Sequence, residues 1–261
     1  MNNINDLHIA FLQQNIIWEN PRANFASIER KLSETSEHFD LLILPETFNT
    51  GFSQNAKTLA EQPYGNTFAW CKKISGKYGC KVIASWYVAE NGHVYNRLFC
   101  IDGSGEVAHY DKHHTFRLST ESHDVCRGDS TTVIDVNGWK ISLFICYDLR
   151  FPIWCRNSVR NGEFSYDIAV FAANWPASRS KAWNTLLQAR ALENMCYTIG
   201  VNRVGKDGQD SLHTGNSAVV SPNGNIIHQV PESEEALCVF SLNHMNLERY
   251  REKYPFHLDW D

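Results

Sequence analysis

"TVIDVNGWKISLFICYDLRFP", residues 132–152, carries the pattern on which the fold turns. Asn137-Gly138 is a strong hairpin signal between two strand-like runs, because both residues tolerate the positive φ that a tight two-residue turn demands. The second run stays apolar until Cys146 and then breaks into Tyr-Asp-x-Arg. A thiol at that junction is either a small core residue or a nucleophile at the mouth of a strand. Free cysteine is among the most buried residue types, so the residue alone favours the core.

Working outward, "LHIAFLQQ" (7–14) reads as a strand, and Asn20-Pro21 supplies a cap and first-turn proline for a helix with Phe25, Ile28 and Leu32 on one face. "FDLLILPE" (39–46) is an apolar run stopped by proline, as expected of a strand covered on both faces. Together they form a β-α-β unit. A helix over roughly 66–79 leads into "KVIASWYVAE", "VYNRLFCID" and "EVAHYDK", three strands joined by Asn91-Gly92 and the "GSG" turn at 103–105. Beyond Cys146 the spacing predicts a helix in "FPIWCRNSVRNG" (151–162), a strand in "YDIAVFAAN" (166–174) and a helix over 179–195 with Trp183, Leu187 and Leu192 on one face. Further strands are predicted in "CYTIGVNRV" (196–204), "GNSAVVSPNGNIIHQV" (215–230) and "ALCVFSL" (236–242). Crossover units and hairpins occur together, so the expectation is an α/β fold of two packed sheets flanked by helices rather than one doubly wound sheet. No linker composition divides residues 1–261, which reads as one domain.

The net charge of −5 comes from well-mixed acidic and basic residues, so there is no basic stripe for nucleic acid and no polybasic segment for a membrane. The start, "MNNINDLHIAFLQQ", lacks the features of a signal peptide, and no later run reaches a spanning length. A cytoplasmic protein is expected. The eight cysteines are scattered without CxxC or compact His/Cys spacing, which argues against disulfides and zinc. His113-His114 has no HExxH context, so no metal or other cofactor is expected.

Three strand-to-loop junctions end in reactive side chains: Glu46 in "LILPETF", Lys112 in "YDKHHTF" and Cys146 in "LFICYD". Loops at strand ends are where open α/β folds assemble their sites, so residues far apart in sequence can meet there. A carboxylate can take the proton of a thiol, and an ammonium can hold the oxyanion that forms when the thiolate attacks a carbonyl. Each residue alone has a bland alternative, a core thiol, a loop carboxylate and a surface lysine.

With their flanks, "LPET", "YDKHH" and "FICYDLRFP" resemble, in order, the three motifs of the nitrilase (carbon-nitrogen hydrolase) superfamily. That resemblance spans essentially the whole chain. It implies a four-layer α-β-β-α sandwich and a homodimer, with Glu46 as general base, Lys112 as oxyanion stabiliser and Cys146 as nucleophile. Glu121 stands where many members have a second glutamate and would orient Lys112. The Tyr147 backbone N–H would face the oxyanion, while Asp148 and Arg150 would brace the turn.

Within the superfamily, "YDKHHTFRLSTES", "CYDLRFPIWCRN" and "FAANWPASRSKAWNTLLQARALEN" are most similar to the omega-amidases, with no appended ligase domain. That subgroup cleaves the terminal amide of 2-oxo dicarboxylic acid monoamides such as 2-oxoglutaramate and 2-oxosuccinamate. A guanidinium fork suits the far carboxylate of such a substrate. Arg117, Arg150 and Arg179 are the candidates, with a loop arginine favoured over Arg150, and Phe116 and Trp175 as apolar walls. Two rivals stay open: a nitrile or N-carbamoyl hydrolase with the same three residues, and a noncatalytic binding protein. The aromatic tail "RYREKYPFHLDWD" is expected to cross onto a partner subunit, with packing on its own subunit as the alternative.

Overall fold

The structure, a computed structural model, describes residues 4–260. Twelve strands build two six-stranded sheets. The first sheet contains β1 (Leu7–Gln13), β2 (Leu41–Ile43), β3 (Lys81–Glu90), β4 (His93–Ile101) and β5 (Glu106–Asp111). Its other edge is β12 (Ala236–Leu242), giving the order β12-β1-β2-β3-β4-β5. The second sheet runs β6 (Thr132–Val136), β7 (Trp139–Ile145), β8 (Ile168–Ala172), β9 (Tyr197–Val201), β10 (Ala218–Val220) and β11 (Ile226–Gln229) in spatial as well as chain order.

Both sheets share one plan. Parallel trios, β1-β2-β3 and β7-β8-β9, are extended by antiparallel strands on either side. The inner faces pack together: Ile9, Phe11, Ile43 and Ile83 of one sheet share a core with Ile141, Leu143, Val170 and Ile199 of the other. Helix α1 (Pro21–Ser33) and helix α2 (Asn66–Tyr78) cover the outer face of the first sheet through Ile28, Leu32, Trp70 and Ile74. On the second sheet, α3 (Ser180–Asn194) lies so close that a Cβ on Gly200 of β9 would sit 2.6 Å from Trp183 and Leu187, and α4 (His244–Lys253) inserts Leu247. This is the α-β-β-α sandwich expected. No helix among the described residues is long and apolar enough to cross a membrane.

Local expectations were corrected in three places. The strand predicted over 39–46 is only three residues long, because Pro45 cannot donate to a ladder, although Leu44 N–H still bonds the Ile83 carbonyl (2.9 Å). Residues 151–162 are turns and a short hairpin rather than a helix. The N–H groups of Phe151, Trp154 and Cys155 close single turns on backbone carbonyls, Asn194 Oδ1 accepts from Asn157 N–H (2.8 Å), and Ile153 is 92% exposed. On α3 the buried face follows Trp183, Leu187, Arg190, Ala191 and Asn194, so Leu192 points outward. The tail packs in part on its own chain, with Trp260 and His257 against Phe164, and leaves Tyr254, Phe256 and Leu258 exposed.

Candidate active site

The three reactive residues meet at the ends of β2, β5 and β7. Cys146 follows β7 directly and takes φ +43°, a left-handed conformation that costs a non-glycine residue about 1–3 kcal/mol. Its turn is held by Asp148, which accepts from Ile145 N–H (3.1 Å), Tyr110 OH (2.8 Å), His114 N–H (3.0 Å) and His114 Nδ1–H (2.8 Å). The expected Asp148–Arg150 brace is therefore replaced by a histidine from a distant loop. Thr47, next to Glu46, is also at φ +43°, fixed by donation of its N–H to Ser85 Oγ (2.8 Å).

Lys112 donates to Glu46 Oε1 (2.8 Å) and to both oxygens of Glu121 (3.0 and 2.9 Å). All three are buried, at 1%, 0% and 3% exposure. Two carboxylates raise the Lys112 ammonium well above its usual range despite desolvation, so it is a permanent cation. Burial raises the Glu121 carboxyl, opposed by Lys112. The Cys146 thiol is pushed well above its ordinary value by burial and then by the negative charge of Glu46, with Lys112 pulling the other way. Burial and the Glu46 charge thus both favour the protonated thiol, with the Glu46 carboxylate beside it.

These groups open onto a cavity of about 600 Å³ lined by Glu46, Lys112 and Cys146 together with Phe52, Phe116, Tyr147, Arg150, Trp175 and Arg179. Polar groups and aromatic side chains share this lining, as in small-molecule sites generally.

Residues 8–252 match the model of the carbon-nitrogen hydrolase family. The chain belongs to that family. This carbon-nitrogen hydrolase is 36% identical to the omega-amidase YafV of Yersinia enterocolitica over 98% of its own length and 97% of that protein's. It is 33% identical to the 2-oxoglutaramate amidase of Bacillus subtilis, covering 84% of each chain. Its fold superposes with a TM-score of 0.95 on a CN-hydrolase superfamily protein of Xanthomonas campestris, 36% identical and covered to 98% on both sides, whose crystal structure carries an arsenic adduct in the active site.

The hydrolase's remaining candidates divide clearly. Arg150 and Arg179 lie on the cavity, their guanidinium carbons 4.8 Å from the Trp175 ring and 5.2 Å from the Phe116 ring. Arg117 is exposed and off the cavity wall. His113 and His114 are engaged with Trp154 and Asp148 rather than with the cavity. Two asparagines escaped the sequence reading. Asn96, fully buried in β4, donates to Glu46 Oε1 (2.9 Å) and Glu121 Oε1 (3.1 Å). Asn174, at the end of β8, gives its N–H to Glu46 Oε2 (2.9 Å) and its side-chain amide to the Glu46 carbonyl. Both are polar residues in apolar strand patterns, which was the available signal.

Away from this site, Asp167, His244 and Glu248 form an acidic cluster with metal-ligand chemistry. Arg251 already fills it, 2.7 Å from Asp167 Oδ1 and 3.4 Å from Glu248 Oε1, so it serves as an ion pair tying α4 to the second sheet.

Proposed function

We propose that the chain is an omega-amidase, hydrolysing the terminal amide of small 2-oxo dicarboxylic acid monoamides through a thioester on Cys146. The observation that carries this reading is the cavity itself, with Glu46, Lys112 and Cys146 beside two guanidiniums on aromatic walls. The named relatives support the same substrate class.

In the proposed sequence, Glu46 takes the Cys146 proton as sulfur attacks the amide carbon. The negative charge gathers on the carbonyl oxygen, which the Lys112 ammonium and the Tyr147 N–H stabilise. Collapse breaks the C–N bond, and the proton held by Glu46 passes to departing ammonia. Water then gives a proton to Glu46 and attacks the thioester. The second tetrahedral intermediate expels the Cys146 sulfur, which recovers the proton, and the carboxylic acid leaves. Glu121 and Asn96 keep Lys112 and Glu46 in register throughout. Base, nucleophile and cation all come from the chain, and chelators are expected to leave turnover unchanged.

The exposed aromatic and aliphatic residues of the tail support a homodimer, and the eight unpaired thiols support a cytoplasmic location. Light scattering that gave a monomer at working concentration would reject the dimer. Ammonia release from a panel of amides, nitriles and N-carbamoyl amino acids tests the activity: 2-oxoglutaramate and 2-oxosuccinamate should far exceed butyramide. Equal turnover of neutral amides would remove the omega-amidase reading and leave an amidohydrolase.

A further inference from the structure

We propose that Asn202 is a positioning residue for the reaction, acting through the backbone of Trp175 to aim the Asn174 N–H at Glu46 and Cys146. This rests on the proposed thioester route, in which Glu46 carries the proton.

β8 ends at Ala172, and the last bond of its parallel ladder to β9 runs from Ala173 N–H to the Val201 carbonyl (2.8 Å). Beyond that point a side chain takes over. Asn202, 2% exposed, accepts the Trp175 N–H on Oδ1 (2.8 Å) and donates from Nδ2 to the Trp175 carbonyl (3.0 Å), the two bonds that a neighbouring strand would otherwise supply. Oδ1 also accepts the Arg203 N–H (2.9 Å), and Nδ2 also donates to the Gly215 carbonyl (2.8 Å). A primary amide has two donors and two acceptor positions, so Asn202 is saturated. Its own backbone is pinned by Ser217, whose Oγ accepts the Asn202 N–H (2.9 Å) and donates to its carbonyl (3.2 Å).

Between the anchored Ala173 and Trp175 lies Asn174, which gives its N–H to Glu46 Oε2 (2.9 Å) and its side-chain amide to the Glu46 carbonyl and Thr47 Oγ1. The same N–H also acts on the nucleophile: burial and the Glu46 charge raise the Cys146 thiol, and the Asn174 N–H is among the groups that lower it. One main-chain donor thus serves base and sulfur together. A donor at a strand end has no ladder to fix its direction, and an off-axis hydrogen bond weakens steeply, so its aim depends on the clamp that follows it.

Three variants test this. Asn202→Leu removes the clamp at similar volume, Ser217→Ala loosens it, and Thr198→Val removes another fully buried polar atom from β9, at the end away from Asn202. Glu46, Lys112, Tyr87 and Arg179 also act on the Cys146 thiol and are unchanged in all three. Alkylation of Cys146 by iodoacetamide across pH reads the thiol directly. In Asn202→Leu the pH of half-maximal alkylation should rise by about half a unit to one, and kcat for 2-oxoglutaramate should fall about tenfold, as when one hydrogen bond is lost. Ser217→Ala should shift the same way by less, and Thr198→Val should not move the profile. An unmoved profile in folded Asn202→Leu, or in Ser217→Ala should the first variant not fold, overturns the assignment, as does an equal shift in Thr198→Val. Turnover that survives complete alkylation of Cys146 would instead remove the thioester route, and the positioning role with it.

Discussion

Lys112 Nζ lies 2.8 Å from Glu46 Oε1 with both side chains sealed from solvent, so the proposed base and oxyanion stabiliser form one charged unit beside the Cys146 thiol. Glu46 raises that thiol's pKa and Lys112 lowers it. Removing each charge should therefore move the thiol in opposite directions. Following thiolate formation by ultraviolet absorbance, Glu46→Gln should titrate at lower pH than wild type and Lys112→Met at higher pH. Shifts of the same sign would show that the charges do not act on Cys146 as the geometry requires.

Turnover should separate from titration. Glu46→Gln, though its thiolate forms more readily, should be inactive because the proton carrier to ammonia is gone. Lys112→Ala should lose about a hundredfold or more in kcat, as when one oxyanion donor is removed. A Lys112 variant with near-normal kcat would confine this lysine to holding Glu46 and Glu121.

Asn96 offers a finer test. Its amide donates to both carboxylates, and a carboxylate deprived of a donor holds its proton more tightly. Asn96→Leu should move the acid limb of the pH–rate profile upward and lower kcat about ten- to a hundredfold. A fall in rate with an unmoved profile would mean that Asn96 only fills space.

These residues also show where sequence reading succeeds and stops. Glu46, Lys112 and Cys146 were legible because apolar runs mark the strand ends that carry them. Two packed sheets flanked by helices followed from hairpins mixed with crossover units, and the family resemblance implied their α-β-β-α order. Asp148 was misassigned because Arg150 is near in sequence, whereas its partner His114 arrives from another loop. Asn96 showed only as a polar residue in an apolar strand, and its role was hidden because its partners come from the ends of other elements. The turn at 151–162 lacks helical packing, since Ile153 faces solvent and Phe151 stacks on His114.

A small antiparallel hairpin, Val204–Lys206 with Leu212–Thr214, borders the cavity and carries an acid-sensitive residue. Burial, and then the Arg203 charge, lower the His213 pKa to about 4 from the ordinary histidine value. The unfolded chain therefore binds a proton at higher pH than the folded one does. This stability is present above the ordinary value and is lost as pH falls towards about 4, by up to about 3 kcal/mol. Denaturant unfolding of wild type and His213→Gln across this range should show a smaller acid loss in the variant. Parallel curves would mean that His213 is protonated as easily folded as unfolded.

The most direct test of the central claim is rapid acid quench of the enzyme mixed with 2-oxoglutaramate, followed by mass analysis of the peptide bearing Cys146. The account predicts an acyl adduct on that peptide that forms before steady state, disappears as substrate is exhausted and is absent in Cys146→Ala, which should fold and not turn over. Hydrolysis with no adduct at any quench time, or activity retained by clean Cys146→Ala, would contradict it.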